Sequence, residues 1–362
     1  MGRDWSAART GAPGRARAWP RVRLPPSGAA STAPDLAVIL AAVLVPPPLS
    51  RGDAVRAVAP SSPYDPAQLE RGLRVLSEGL GLRPRMRPDL GARARYLAGD
   101  DGRRLDEWRE AVADREARAI FCARGGYGAM RILPGIDPAP LLARPKVLVG
   151  FSDVTALHAL LNRAGLATVH GPVVTQLGRA PEAAVAHLAA LLFGGAPRPG
   201  AWDEPAPGAG LVGTATIRAG RIRGPLLGGS LAVLAHLAGT PFLPSLEGAI
   251  LLLEDVGEAP YRLDRYLTQL RLAGALEGVA GVAVGQLTSC DDAVLRGAEV
   301  VRELVAELGV PAVEGIPAGH EDANYAVPLG ATATLVAPGP GDEGRPRLLF
   351  EGWTARPGGA LA

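Results

Sequence analysis

The chain has 362 residues, 48% of them apolar and 20% charged, a balance that excludes a disordered or fibrous protein and, at this length, favours two domains over one core. Its formal charge is only +2 and no Lys/Arg block is interleaved with aromatics, so the footprint of a nucleic-acid binder is missing. Cys122 and Cys290 lie far apart and outside any CxxC or Cys/His cluster, which suggests neither a disulfide framework nor a metal site and fits a reducing compartment.

Residues 1–45 are expected to form a disordered N-terminal extension, rich in Arg, Ala, Pro, Gly and Ser and without periodicity up to Asp35. The apolar run 36–45 is far short of the roughly 20 residues a membrane-spanning helix needs, so no membrane partner is expected. The polar stretch before it is too long for a secretory signal, and no small-residue cleavage site follows. Residues 54–59 read as a buried strand ending at Pro60-Ser61-Ser62-Pro63, 66–79 as a helix, 82–87 as a strand and 103–114 as a helix. The short apolar runs 119–123 and 147–151 suit buried parallel strands, giving an N-terminal α/β domain with a parallel sheet over 46–177. Residues 178–210, a helix near 182–192 followed by repeated Pro and Gly, read as an inter-domain connection. Strands at 250–253, 279–284 and 331–336 then alternate with helices near 263–272 and 293–308, a strand-rich mixed domain over 211–356 before a tail at 357–362.

Chemistry-bearing residues gather at the turns. Lys146 to His158 reads as strand, tight turn and helix with Ser152 at the turn. Such an elbow lifts a hydroxyl above the sheet and aims the next amide, that of Asp153, at a developing oxyanion. A helix N-cap would look the same, and GxSxG is absent. Arg124-Gly125-Gly126-Tyr127-Gly128 follows another buried strand and belongs at the same sheet edge, either as a second amide donor or as a plain glycine turn. It matches no phosphate-binding loop. Among five histidines, His158, His187 and His236 fall in helical patterns, whereas His320 sits in a turn-rich loop and His170 is the runner-up base. Glu254, at the end of the run Ile250 to Leu253, could orient an imidazole, with Asp255 and Glu258 as alternatives.

At these residues the chain closely resembles the LD-carboxypeptidase, or muramoyltetrapeptide carboxypeptidase, family, whose relatives include microcin-C self-immunity peptidases. The likeness spans about Pro46 to Trp353 and is carried by Ala59-Pro60-Ser61-Ser62, Tyr96 to Asp100, Arg124 to Gly128, Gly150 to Leu157, His170-Gly171-Pro172, Leu253 to Glu258 with Tyr261 to Arg265, and Gly319-His320. The resemblance implies an N-terminal α/β domain bearing nucleophile Ser152 and a smaller strand-rich C-terminal domain bearing Glu254 and base His320. It also implies an oxyanion hole from the amides of Gly126 and Asp153, no cofactor, and cytoplasmic release of terminal D-Ala from a murein peptide. Arg124, Gly125, Tyr127 and Ser230 are expected to contact substrate. Ser230 is a departure, since the family commonly has Asn there and a shorter side chain loses the amide. The alternatives are hydrolysis of a peptidyl or aminoacyl nucleotide conjugate, for which Trp202 could stack a base, and a non-catalytic peptide binder. The sequence leaves the assembly open, a homodimer included.

Overall fold

The computed structural model describes residues 43–194, 209–351 and 353, within one compact unit. Most of the expected extension, the Pro/Gly-rich part of the connection with Trp202, and the tail at 357–362 lie outside the described residues. The first half carries β1 (Ala54–Val58), β2 (Arg83–Arg85), β3 (Ala117–Cys122), β4 (Val147–Gly150) and β5 (Thr168–His170). Then follow β6 (Gly210–Val212), β7 (Ala215–Arg218), β8 (Gly220–Ser230), β9 (Ile250–Val256), β10 (Gly281–Thr288), β11 (Ala312–Glu314), β12 (Val327–Leu329), β13 (Thr332–Ala337) and β14 (Arg347–Phe350).

Two sheets result. The first has the order β12-β5-β4-β3-β1-β2, parallel except that β12 runs antiparallel to β5. The second has the order β6-β14-β13-β8-β9-β10-β11-β7, with β8 to β11 mutually parallel and the flanking strands antiparallel. The α/β first half and strand-rich mixed second half read from the sequence are both present.

Side-chain alternation sorts the apolar runs onto two faces. Phe121, Val147 and Val149 enter one core cluster together with Leu226, Ile250 and Leu252 of the second sheet. Ile120 and Leu148 point the other way, onto Trp108, Leu157 and Leu161 of the flanking helices. Leu251, Leu253 and Val282 cover a third cluster with Leu263 and Val301. Runs without polar alternation are therefore runs buried on both faces, each large side chain contributing about 1.5–3 kcal/mol.

Three features differ from the expected partition. Strand β12, from the expected second domain, completes the first sheet: Val327 pairs with His170 and covers an edge that would otherwise be open. Leu44, expected in the extension, forms a bridge with Leu166, and its amide donates to the Gly165 carbonyl at 2.8 Å. The helix Glu182–Leu192, expected in the connection, buries Leu188 and Leu191 in the shared core, and Trp353 Nε1 donates to the Leu191 carbonyl at 2.7 Å.

One contact fixes a wall of the future site. The helix Pro66–Arg74 starts with Asp65, whose Oδ1 accepts from the Gln68 amide at 2.9 Å, and a proline in its first turn. A Cβ at Gly72 would lie 1.7 Å from the Val174 carbonyl oxygen, so this helix packs directly on the short helix Val174–Leu177. Gly72→Ala should gain up to about 1 kcal/mol of helix propensity and lose more to overpacking, about 3 kcal/mol, because backbone cannot yield. A lower urea midpoint with an unchanged slope is the expected result.

Candidate active site

The chain leaves β4 through Phe151 into a 3-10 turn, Ser152–Val154, that runs straight into the helix Thr155–Arg163. Ser152 holds φ +64°, and the caps of these two elements are Phe151 and Val154, so it is not a helix cap. A side chain in that region costs on the order of 1–2 kcal/mol and persists only where the surroundings enforce it.

Gly125 abuts Ser152 from the neighbouring loop: a Cβ there would come within 2.9 Å of the serine Cβ and 3.1 Å of its Oγ. Gly126 holds φ +100°, and a Cβ there would meet Ser62 Oγ at 2.5 Å. Ser62 braces the loop, its amide donating to the Gly125 carbonyl at 3.2 Å and its Oγ accepting from the Tyr127 amide at 3.0 Å. Beneath it, the fully buried Arg104 donates to the carbonyls of Pro60 and Gly128 and pairs with Asp101. Buried Glu107, its carboxyl pushed up by desolvation, accepts from the Ala59 amide at 2.8 Å and meets Arg103 at 2.9 Å. Asp153 is likewise buried and raised by desolvation; its carboxylate accepts from the Ala129 amide at 2.8 Å. These buried ionic groups fix loop geometry.

On the second sheet, alternation decides between adjacent carboxylates. Ile250 and Leu252 face the core shared with the first sheet, so Glu254 does too, whereas Asp255 falls with Leu251 and Leu253 on the opposite face. Glu254 is fully buried and its Oε2 lies 2.8 Å from His320 Nδ1. An ionised carboxylate in this place would only accept, so the contact fits the tautomer with the proton on Nδ1 and the lone pair on Nε2, the form a general base requires. Asp255, pushed up to about 6 by burial and by Glu254, accepts from the Ala232 amide at 2.7 Å, and Glu258 pairs with Arg262 at 3.4 Å. Neither competes for the histidine.

The loop carrying His320 is held on all sides. Gly319, at φ +143°, leaves room beside Glu254, where a Cβ would lie 3.1 Å from Oε2. Its amide donates to Asn324 Oδ1 at 3.0 Å, and the Glu321 amide donates to Gln286 Oε1 at 2.9 Å. Gln176, from the first half of the chain, accepts from Asn324 Nδ2 at 3.0 Å and donates to the Glu321 carbonyl at 2.9 Å. Sequence reading passed over Gln176 and Asn324; the available signal was a glutamine breaking the apolar run Val173-Val174 to Leu177.

Ser152, His320, Arg124, Gly125, Gly126 and Gln176 line one cleft of about 490 Å³. Other residues singled out from sequence do not. Ser230 is buried, its Oγ accepting from the Val233 amide at 3.3 Å as an N-cap and its amide donating to Thr155 Oγ1 at 3.1 Å. Tyr127 turns toward Tyr96, ring centroids 5.7 Å apart. His170 is fully buried behind Phe151, its ring 5.8 Å from the phenyl and its affinity for a proton driven well down by burial. His158 meets the Gly150 carbonyl at 2.8 Å and Thr168 Oγ1 at 2.9 Å, His187 meets the Ala326 carbonyl at 2.9 Å, and His236 is exposed beside Tyr266.

Two α/β halves whose loops converge on a serine and on a carboxylate-held histidine define a hydrolase-like architecture, and comparison with known proteins places it. Models of the LD-carboxypeptidase N-terminal and C-terminal domains match residues 55–171 and 223–335. The murein tetrapeptide carboxypeptidase of Pseudomonas aeruginosa is 37% identical over 295 residues, 78% of this chain and 92% of that one. The crystal structure of a muramoyltetrapeptide carboxypeptidase from Oxalobacter formigenes superposes with TM-score 0.70 at 26% identity, covering 82% of this chain and 99% of that one. The microcin C7 self-immunity protein MccF, solved with glutamyl sulfamoyl guanosine, shares the fold at TM-score 0.73 and 21% identity, covering 86% of this chain and 100% of its own. The chain belongs to the LD-carboxypeptidase family of peptidases.

Burial holds His158 and His187 down at about 4, against an ordinary value near 6.5. Between those values the unfolded chain binds protons that the folded one does not, so stability present above pH 6.5 is lost on acidification, about 1.4 kcal/mol per pH unit for each group. His187→Gln, which keeps an N–H for the Ala326 carbonyl, should flatten the stability profile over that window by up to about one proton. Urea titrations at several pH values between neutral and 4 read the slope; an unaltered slope would contradict the burial argument.

Proposed function

We propose that Ser152, His320 and Glu254 act as one nucleophilic unit and that the peptidase releases the terminal D-Ala of a murein tetrapeptide. The observation that carries this is the 2.8 Å Glu254–His320 pair, together with the opening of His320 and Ser152 into the same cleft. In this reading Ser152 Oγ attacks the amide carbonyl while His320 Nε2 takes its proton, and the imidazolium then protonates the departing amine. Glu254 holds the ring and stabilises its charge. The amides of Gly126 and Asp153 receive the oxyanion, the first from a loop locked by Ser62 and the second from the start of the 3-10 turn. The murein tetrapeptide carboxypeptidase of Pseudomonas aeruginosa supports the substrate class. The cytoplasm is the proposed compartment: two buried free cysteines suit it, and no helix among the described residues is long and apolar enough to cross a membrane.

The test is release of free D-Ala by the purified protein with a chelator present, measured against the same peptide ending in L-Ala. Inverting the terminal Cα misplaces its carboxylate, so the L-peptide should be turned over at least about 100-fold more slowly. Cleavage of an aminoacyl adenylate in place of the peptide would overturn the substrate while sparing the triad. Ser152→Ala and His320→Ala should each abolish nearly all turnover, and the double variant should be no worse. Glu254→Gln should lower kcat roughly 1,000-fold or more with little change in KM, because Nδ1 loses the acceptor that fixes its tautomer. A rate within about tenfold of normal for any of these single variants would remove that residue from the mechanism.

A further inference from the structure

A second cavity, of about 450 Å³, adjoins the cleft and shares Asp65 and Arg124 with it, yet contains neither Ser152 nor His320. Its walls are cationic and aromatic. Arg93 Nη2 donates to the Tyr64 carbonyl at 3.2 Å and Arg124 Nη1 to the Pro63 carbonyl at 2.6 Å, so two guanidinium groups are oriented by successive carbonyls of one short segment. Each keeps further N–H donors.

The opposite lip is a tight turn in which the amides and carbonyls of Ala94 and Leu97 exchange hydrogen bonds of 2.9 and 3.0 Å. At its tip Arg95 holds φ +56°, and its guanidinium lies 5.8 Å from the centre of the Tyr96 ring. A non-glycine residue kept in that conformation marks a place where the surface is specified by something other than backbone preference.

Charge pairing separates these three arginines from several of their neighbours. Nearby Arg85, Arg87, Arg103, Arg104 and Arg131 each meet a carboxylate. Among the described residues Arg93, Arg95 and Arg124 meet no carboxylate, and the one acid on the rim, Asp65, which caps the helix Pro66–Arg74, offsets only part of their charge. The cavity therefore offers excess positive charge, two oriented forks and an aromatic face, which together suit a carboxylate on an extended chain.

We propose that this cavity is a subsite for a carboxylate borne by the substrate on the amino-terminal side of the cleaved bond. The proposal rests on the peptidase reading given above. It follows from reach: the released residue ends about 3.5 Å beyond the cleaved bond, so only the longer, uncleaved portion extends into a neighbouring cavity. The occupant is thus an acidic peptide, and recognition acts chiefly on affinity.

The experiment uses the full chain and a tetrapeptide whose upstream carboxylate is either free or amidated. The wild type should favour the free acid by roughly 5- to 20-fold in kcat/KM, mostly through KM, and the preference should shrink at high salt. In Arg93→Gln/Arg95→Gln the acid-to-amide ratio should fall to about one. A wild type without preference, or a variant that keeps it, overturns the subsite. If neither peptide is cleaved, the proposed reaction fails instead, and the subsite is then judged by calorimetry of the acidic and amidated tripeptides on Ser152→Ala with and without the two arginine changes. Acid-selective binding that needs the arginines upholds it; equal or absent binding overturns it.

Discussion

A carboxylate buried at the end of a strand is the constraint from which the rest of the site follows. Glu254 has no exposed surface, and of its two oxygens one meets His320 while the other has no partner within hydrogen-bonding distance among the described residues. Removing such a group from water costs several kcal/mol even after relaxation, and one strong hydrogen bond offsets only part of it. The site is therefore bought at some expense to stability, and the surroundings are arranged to keep the imidazole from drifting away. Gly319 and Gly285 lack side chains beside the acid, since a Cβ at Gly285 would meet the Ala318 carbonyl oxygen at 2.5 Å and Glu254 Cβ at 3.1 Å. Gln286, Asn324 and Gln176 pin the loop from three directions.

The serine side is built differently. There the fixed point is backbone: a positive φ at Ser152, a glycine pressed against it, and a serine hydroxyl tying the Gly125–Tyr127 loop to the end of β1. Buried charge again supplies rigidity, but at one remove, through Arg104 and Glu107 behind the loops rather than within the cleft. Both halves show polar groups retained in the interior where they hold a loop in place, although apolar packing would be less costly.

Much of this was legible because the strands are buried on both faces. Uninterrupted runs such as Ile250 to Leu253 announce themselves, and the residues just past their ends are where an open α/β sheet presents its chemistry. The choice of Glu254 over Asp255 was also within reach, since alternation carries past the end of the apolar run. What the sequence could not display was partnership between distant segments. Ser230 looked like a substrate contact through family position, but its hydroxyl serves a helix end. Strand β12 is only three residues long, so no periodicity could assign it to the first sheet. Gln176 and Asn324 are separated by 148 positions, and neither has a local pattern that reveals the other.

The position of β12 bears on how the protein comes into being. Its residues follow His320 in the chain, yet they form the last strand of the sheet that presents Ser152. On the ribosome the first half is thus released with one edge uncovered, and it stays so until nearly the whole polypeptide has emerged. Pairings this distant are slow to form, and an unpaired edge is where nascent chains associate wrongly. The same topology makes completion late: the segment that finishes the first sheet arrives only after His320, so a chain cut short before β12 lacks the completed sheet that carries Ser152.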